Sequence, residues 1–174
     1  MKDAKGREIK YLRVSVTDRC NLRCKYCMPN GIECVEHKDI LSFEEIRQIA
    51  VCGARLGITK IRLTGGEPLA RKGCPELIRM LKEIPGIEKI AMTTNGTLVR
   101  AILPELVEAG LDEINISLDT LDAGMFAAIT GQDLLPEVLL AIDAALAAGL
   151  KVKVNAVSMP DTDWKRLITL AKDK

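Results

Sequence analysis

Aromatic side chains are nearly absent from this sequence, at 3% of 174 residues: two Phe, two Tyr and one Trp. The core must therefore be filled by Ile, Leu, Val and Ala, which suits helices packed on parallel strands. No apolar run approaches the roughly 20 residues that span a bilayer. The first ten residues are polar and mixed in charge, unlike the apolar centre of a signal peptide. The expected location is cytoplasmic, with no membrane contact. An excess of one charge is lacking too: 25 basic residues oppose 24 acidic ones, for a net +1. That balance gives no broad grip on nucleic acid, so any anion must be held locally. There is no Pro- or Ser-rich linker and no low-complexity segment. With 48% hydrophobic and 28% charged residues, positions 1–174 read as a single globular domain.

Five short aliphatic runs alternate with five helical patterns, the signature of repeated βα units in an α/β fold with a parallel sheet. The expected strands are Tyr11–Thr17, Lys60–Thr64, Lys89–Thr93, Glu113–Leu118 and Lys151–Val157. A capping box of Ser42 and Glu45 opens the first helix, Phe43, Ile46, Ile49 and Ala50 give it an apolar face, and Gly57 marks its stop. A second helix is expected near Pro75–Ile84. In a third, Leu98–Ala109, Pro104 forces a kink or a late start. A fourth spans Pro136–Ala148, and a fifth runs from Trp164 to Ala171 with Asp161 as N-cap. An open doubly wound sheet and a (β/α) barrel both fit, and both place their ligand at the carboxyl ends of the strands.

Distinctive residues lie just beyond each strand. After the first come Cys20, Cys24 and Cys27; after the second, Gly65-Gly66-Glu67-Pro68; after the third, Thr94-Asn95-Gly96. The fourth ends in Ser117-Leu118-Asp119, and the fifth carries Lys153 and Asn155. Three thiols within one short loop can grip one metal centre with little loop-closure cost, and three ligands on a four-iron cube leave one iron open. Zinc completed by Cys34 or His37 is the other reading of these ligand types, although zinc motifs usually pair cysteines as C-x2-C. The Gly-Gly-Glu-Pro run is either a tight strand-to-helix turn or a place where a ligand's head approaches the backbone with Glu67 near its ammonium group. Thr94-Asn95-Gly96 is an ordinary turn by composition. Arg13, Arg62 and Lys153 lie within strands, where they either face outward between helices or face a polyanionic substrate inside a barrel. Cys52 and Cys74, with Cys34, read as structural thiols.

Cys20-x3-Cys24-x2-Cys27, with Tyr26 before the last cysteine, resembles the defining motif of the radical S-adenosylmethionine (SAM) superfamily, and Gly65-Gly66-Glu67-Pro68 resembles its SAM-binding turn. Longer stretches narrow the likeness: Tyr11 to Cys20, Arg62 to Leu69, Thr93 to Gly96, Ser117 to Asp122 and Ile129 to Asp133 are similar to the GTP 3′,8-cyclase family of molybdenum cofactor biosynthesis. The resemblance implies a partial (β/α) barrel of the radical SAM type with about five βα units. It implies a [4Fe–4S] cluster on Cys20, Cys24 and Cys27. SAM would be held at Tyr26, Gly65, Gly66, Glu67, Asn95 and Ser117, and GTP at Arg13, Arg62, Thr93 and Lys153. An electron donor such as flavodoxin or ferredoxin would serve the cluster. That family continues through a sixth strand into a segment with a second three-cysteine cluster and an arginine-rich tail, both absent from these 174 residues. The chain is accordingly expected to be a truncated or minimal form of a longer enzyme, cleaving SAM without full GTP cyclisation, and exposing the fifth strand as an edge through which copies could pair. The alternatives are another radical SAM reaction, such as peptide modification, and a non-catalytic zinc module.

Overall fold

A computed structural model describes residues 2–27, 29, 31, 35–160 and 162–174, with the backbone but not the side chain of His37. Cys34 and Asp161 lie outside the described residues, as does the His37 side chain. The strands are β1 (Tyr11–Ser15), β2 (Lys60–Thr64), β3 (Lys89–Thr94), β4 (Glu113–Ser117) and β5 (Lys151–Asn155). They form one parallel sheet in the order β1-β2-β3-β4-β5. This is the α/β arrangement of a partial barrel, and the doubly wound alternative falls away because no strand is inserted out of sequence.

Alternation along each strand gives the sheet two unlike faces. Ile61, Leu63, Ile90, Met92, Ile114 and Ile116 are fully buried and pack beneath the helices. Their alternates carry the polar groups. Arg13, Arg62, Ala91, Glu113 and Lys151 lie side by side in one row, and Thr93, Asn115 and Lys153 lie in the next. The helices therefore cover only the apolar face, and the cations belong to the inner one.

Helix α1 (Phe43–Arg55) begins on the expected capping box, with Glu45 N donating to Ser42 Oγ and Ser42 N to Glu45 Oε2. Helix α2 is Cys74–Lys82. Helix α3 (Val99–Glu108) runs through Pro104, so of the kink or late start expected there the late start does not occur; Pro104 is exposed, so its ring displaces no packed neighbour. Helix α4 (Ala123–Thr130) has no counterpart among the expected elements. It is opened by Asp122, whose Oδ1 accepts from Met125 N, and closed by Gly131 at φ 79°. Helix α5 is Leu135–Ala147. Asp163, not Asp161, caps α6 (Trp164–Asp173), accepting from Arg166 N. Among the described residues no single helix is long and apolar enough to cross a membrane.

Candidate active site at the carboxyl ends of the strands

The segment after β1 carries Cys20, Cys24 and Cys27 and is held by hydrogen bonds to the segments after β2, β3 and β4. Gly66 N donates to Thr17 O at 2.8 Å and Glu67 N to Arg19 O at 2.7 Å. Asn21 Nδ2 donates to Thr97 Oγ1, and Asn95 Nδ2 donates to Asn21 Oδ1, both at 2.8 Å. Arg23 N reaches Thr130 O and Lys25 N reaches Ile129 O, so the C-terminal end of α4 supports the loop's far side. Tyr26 Oη donates to Asp119 Oδ2 at 2.7 Å, and Asp119 Oδ1 accepts from Val157 N beyond β5. The loop that carries the thiols is thus fixed from four directions.

The glycine pair makes this docking possible. A Cβ on Gly66 would lie 2.4 Å from Arg19 O and 2.6 Å from Asp18 O; one on Gly65, whose φ is 146°, would lie 2.3 Å from Thr17 O. The missing side chains admit the backbone of residues 17–19 before they admit any ligand. Glu67 likewise differs from its expected place near a ligand's ammonium. Its side chain is 0% exposed, and its oxygens accept from Leu69 N, Thr94 Oγ1 and Asn95 N. Burial pushes its pKa up, while those three donors pull the other way. Asn95 is occupied too: its Nδ2 serves Asn21, with Cys20 Sγ 3.8 Å away, and its Oδ1 accepts from Thr97 N and Oγ1. Both residues brace the loop from below.

The donor set suits a cluster. All five described cysteines are free thiols. Cys20 Sγ accepts from Leu22 N at 3.4 Å and faces Asn95 Nδ2, the kind of N–H···S contact that stabilises a cluster-bound thiolate. Burial raises the Cys20 pKa, and burial with the nearby Cys20 sulfur pushes Cys24 up to about 11, so ligation must release their protons. Among the described residues no three His, Cys, Asp or Glu side chains converge on a single ion. Cys74 is buried at the start of α2, its pKa pushed up to about 12 by that burial, and Cys52 is exposed on α1; neither is part of this site.

Along the inner face, from the starts of the strands toward the loop, lie the strand cations. Arg62 is 7% exposed; its Nη1 donates to Met92 O and Thr93 Oγ1, and its Nη2 lies 3.6 Å from Glu113 Oε2. Lys60 Nζ lies 2.5 Å from the same oxygen, and Lys89 and Lys151 approach Glu113 Oε1 at 3.9 Å. The hydrogen bond from Lys60, with the surrounding cations, holds the Glu113 carboxyl below its ordinary pKa. Arg13 and Lys153 form no ion pair among the described residues, and Ser117 lies opposite Asn155 at the rim. Lys60, Lys89, Lys151 and Glu113 were not singled out from sequence. The signal was there, because each is a strand-initial charge in phase with Arg13, Arg62 and Lys153.

The radical SAM superfamily model matches residues 14–173. The GTP 3′,8-cyclase of Thermodesulfovibrio yellowstonii is 54% identical over 162 residues, covering 91% of this chain and 50% of that protein. The GTP 3′,8-cyclase of Pelotomaculum thermopropionicum is 49% identical over 173 residues, covering 98% of this chain and 53% of that protein. The chain thus spans about half the length of these relatives. Among solved structures, Streptococcus suis SuiB bound to S-adenosylmethionine superposes with a TM-score of 0.75 over 94% of this chain and 35% of that one, at 20% identity. Methylornithine synthase superposes with a TM-score of 0.63 over 84% of this chain and 44% of that one, at 22% identity. With three free thiols on a braced loop at the strand ends, and a family match from β1 to the last helix, the chain belongs to the radical SAM superfamily.

Proposed function

We propose that this chain holds a [4Fe–4S] cluster on Cys20, Cys24 and Cys27, binds SAM beside it, and receives GTP on the inner face, as in the GTP 3′,8-cyclases it resembles. When bound, the cluster and SAM supply reductive cleavage of the sulfonium, with an electron carrier such as flavodoxin or ferredoxin as donor, and so a radical able to take a ribose hydrogen. The chain's own residues bind and orient. Tyr26, fixed through Asp119, and the Gly65-Gly66 turn border the thiols on two sides. Ser117 lies at the rim between them and β5. Glu67 and Asn95 contribute from beneath, by keeping the loop in place.

The observation that carries the GTP part is the charge on the inner face. Arg13, Lys60, Arg62, Lys89, Lys151 and Lys153 share it with Glu113, the one carboxylate among its strand residues. Such a surplus needs a polyanion, and Arg13 and Lys153 are the cations left without an ion-pair partner among the described residues. Thr93, already held by Arg62, adds a hydroxyl. The phosphates anchor the nucleotide while the rigid strand rows set its distance from the thiol loop.

Anaerobic protein reconstituted with iron and sulfide, reduced and given SAM, should release 5′-deoxyadenosine, and GTP should raise the rate. Arg13→Ala with Lys153→Ala should raise the GTP concentration for half-maximal stimulation by about tenfold or more. Iron-replete protein that forms no 5′-deoxyadenosine would refute the proposal.

A further inference from the structure

Asn115 lies on the inner face, midway along β4. It is paired with Thr93 on β3 and Lys153 on β5, and along β4 it stands between Glu113 and Ser117. Its neighbours Ile114 and Ile116 are fully buried on the opposite face, which fixes its side chain on the inner side. Its Oδ1 is buried and accepts no hydrogen bond among the described residues, while the side chain as a whole is only part-buried, so a half-turn of the carboxamide exchanges Oδ1 with Nδ2 and brings the carbonyl to the open side. A buried acceptor without a donor costs free energy and calls for a partner. Its surroundings are rich in donors, yet none is directed at it: Arg62 serves Met92 O and Thr93, and Lys60 serves Glu113.

Donors alone satisfy phosphate oxygens. A sugar hydroxyl or a base N–H needs an acceptor, and on this face the Glu113 carboxylate is already taken up by Lys60 and Arg62. We infer that Asn115 is a specificity residue: its side-chain carbonyl accepts a hydrogen bond from a hydroxyl or N–H on the nucleoside part of the bound triphosphate, so that the face prefers a nucleotide to a bare polyphosphate. This rests on the proposed binding of GTP there. The cations supply strength without discrimination, and the carboxamide supplies discrimination with little strength.

Isothermal titration of the reconstituted chain with GTP and with inorganic tripolyphosphate tests the inference. Asn115→Ala should weaken GTP roughly five- to tenfold, the range of one lost hydrogen bond, and leave tripolyphosphate unchanged. Asn115→Asp changes the charge but keeps an acceptor, so it should keep the parent's ratio of GTP to tripolyphosphate affinity. If the donor is the 2′-hydroxyl, 2′-deoxyGTP binds parent and alanine variant alike; if it is the guanine amino group, inosine triphosphate does so instead. The inference is overturned if Asn115→Ala binds GTP as the parent does, or loses both ligands in equal measure. A parent chain that binds neither ligand would overturn the GTP proposal instead, which separates the two failures.

Discussion

At Gly66 the nearest backbone oxygens leave no space for a methyl group, so Gly66→Ala must push residues 17–19 and the cysteine loop away from β2. We expect iron per chain after reconstitution to fall well below that of the parent, while the far-ultraviolet circular dichroism stays close to it. Unchanged iron content would show that the contact is not what seats the loop. Glu67 is equally constrained. In Glu67→Gln the new NH2 must face Asn95 N–H or, turned over, Leu69 N–H, so one buried donor meets another. Loss of about 1–3 kcal/mol in urea unfolding is expected. Sequence alone identified these residues, but not what they do. Spacing shows which side chains recur after strands, whereas the direction of a carboxylate is set by contacts 27 and 28 positions away, with Thr94 and Asn95. Glu67 was for that reason expected to face a ligand, and it faces the loop's supports.

Helices whose signals are local were easy to read. Ser42→Ala removes the Oγ half of the capping box on α1, leaving the bond from Ser42 N to Glu45, and should cost about 1 kcal/mol, measured as a lower urea midpoint with an unchanged slope. No change would mean that the end of α1 is fixed by packing alone. Helix α4 escaped notice for the opposite reason. Its eight residues, Ala-Gly-Met-Phe-Ala-Ala-Ile-Thr, are apolar nearly all round and lack the stripe that marks an amphipathic helix, although Asp122 and Gly131 cap it in the ordinary way. Pro104 shows the limit of another rule. Proline removes a hydrogen bond, but on the exposed side of α3 the missing bond does not stop the helix from starting five residues earlier. The strands were read to within two residues at their ends, because period-two alternation between a buried apolar face and a charged one is preserved in all five.

Across the whole molecule, the sheet presents an apolar side to the helices and a cationic side to whatever enters. Glu113 is the brace on that cationic side, and its effect has a definite sign with pH. Its folded pKa is held below the ordinary value of about 4.5, so its contribution is present above that pH and is lost as pH falls through the depressed value. Urea midpoints measured from pH 7 down to 3 should therefore fall more steeply for the parent than for Glu113→Gln, with the two curves converging in acid. Parallel curves would contradict the assigned role. The central claim concerns the thiol loop at the other end of the same strands: three cysteines hold a cluster with one iron left for SAM. Electron paramagnetic resonance of the reduced, reconstituted chain tests this most directly. Adding SAM should shift the cluster signal, and replacing Cys20, Cys24 and Cys27 together by Ala should abolish both signal and shift; a cluster spectrum indifferent to SAM, or one that survives without the three thiols, would contradict it.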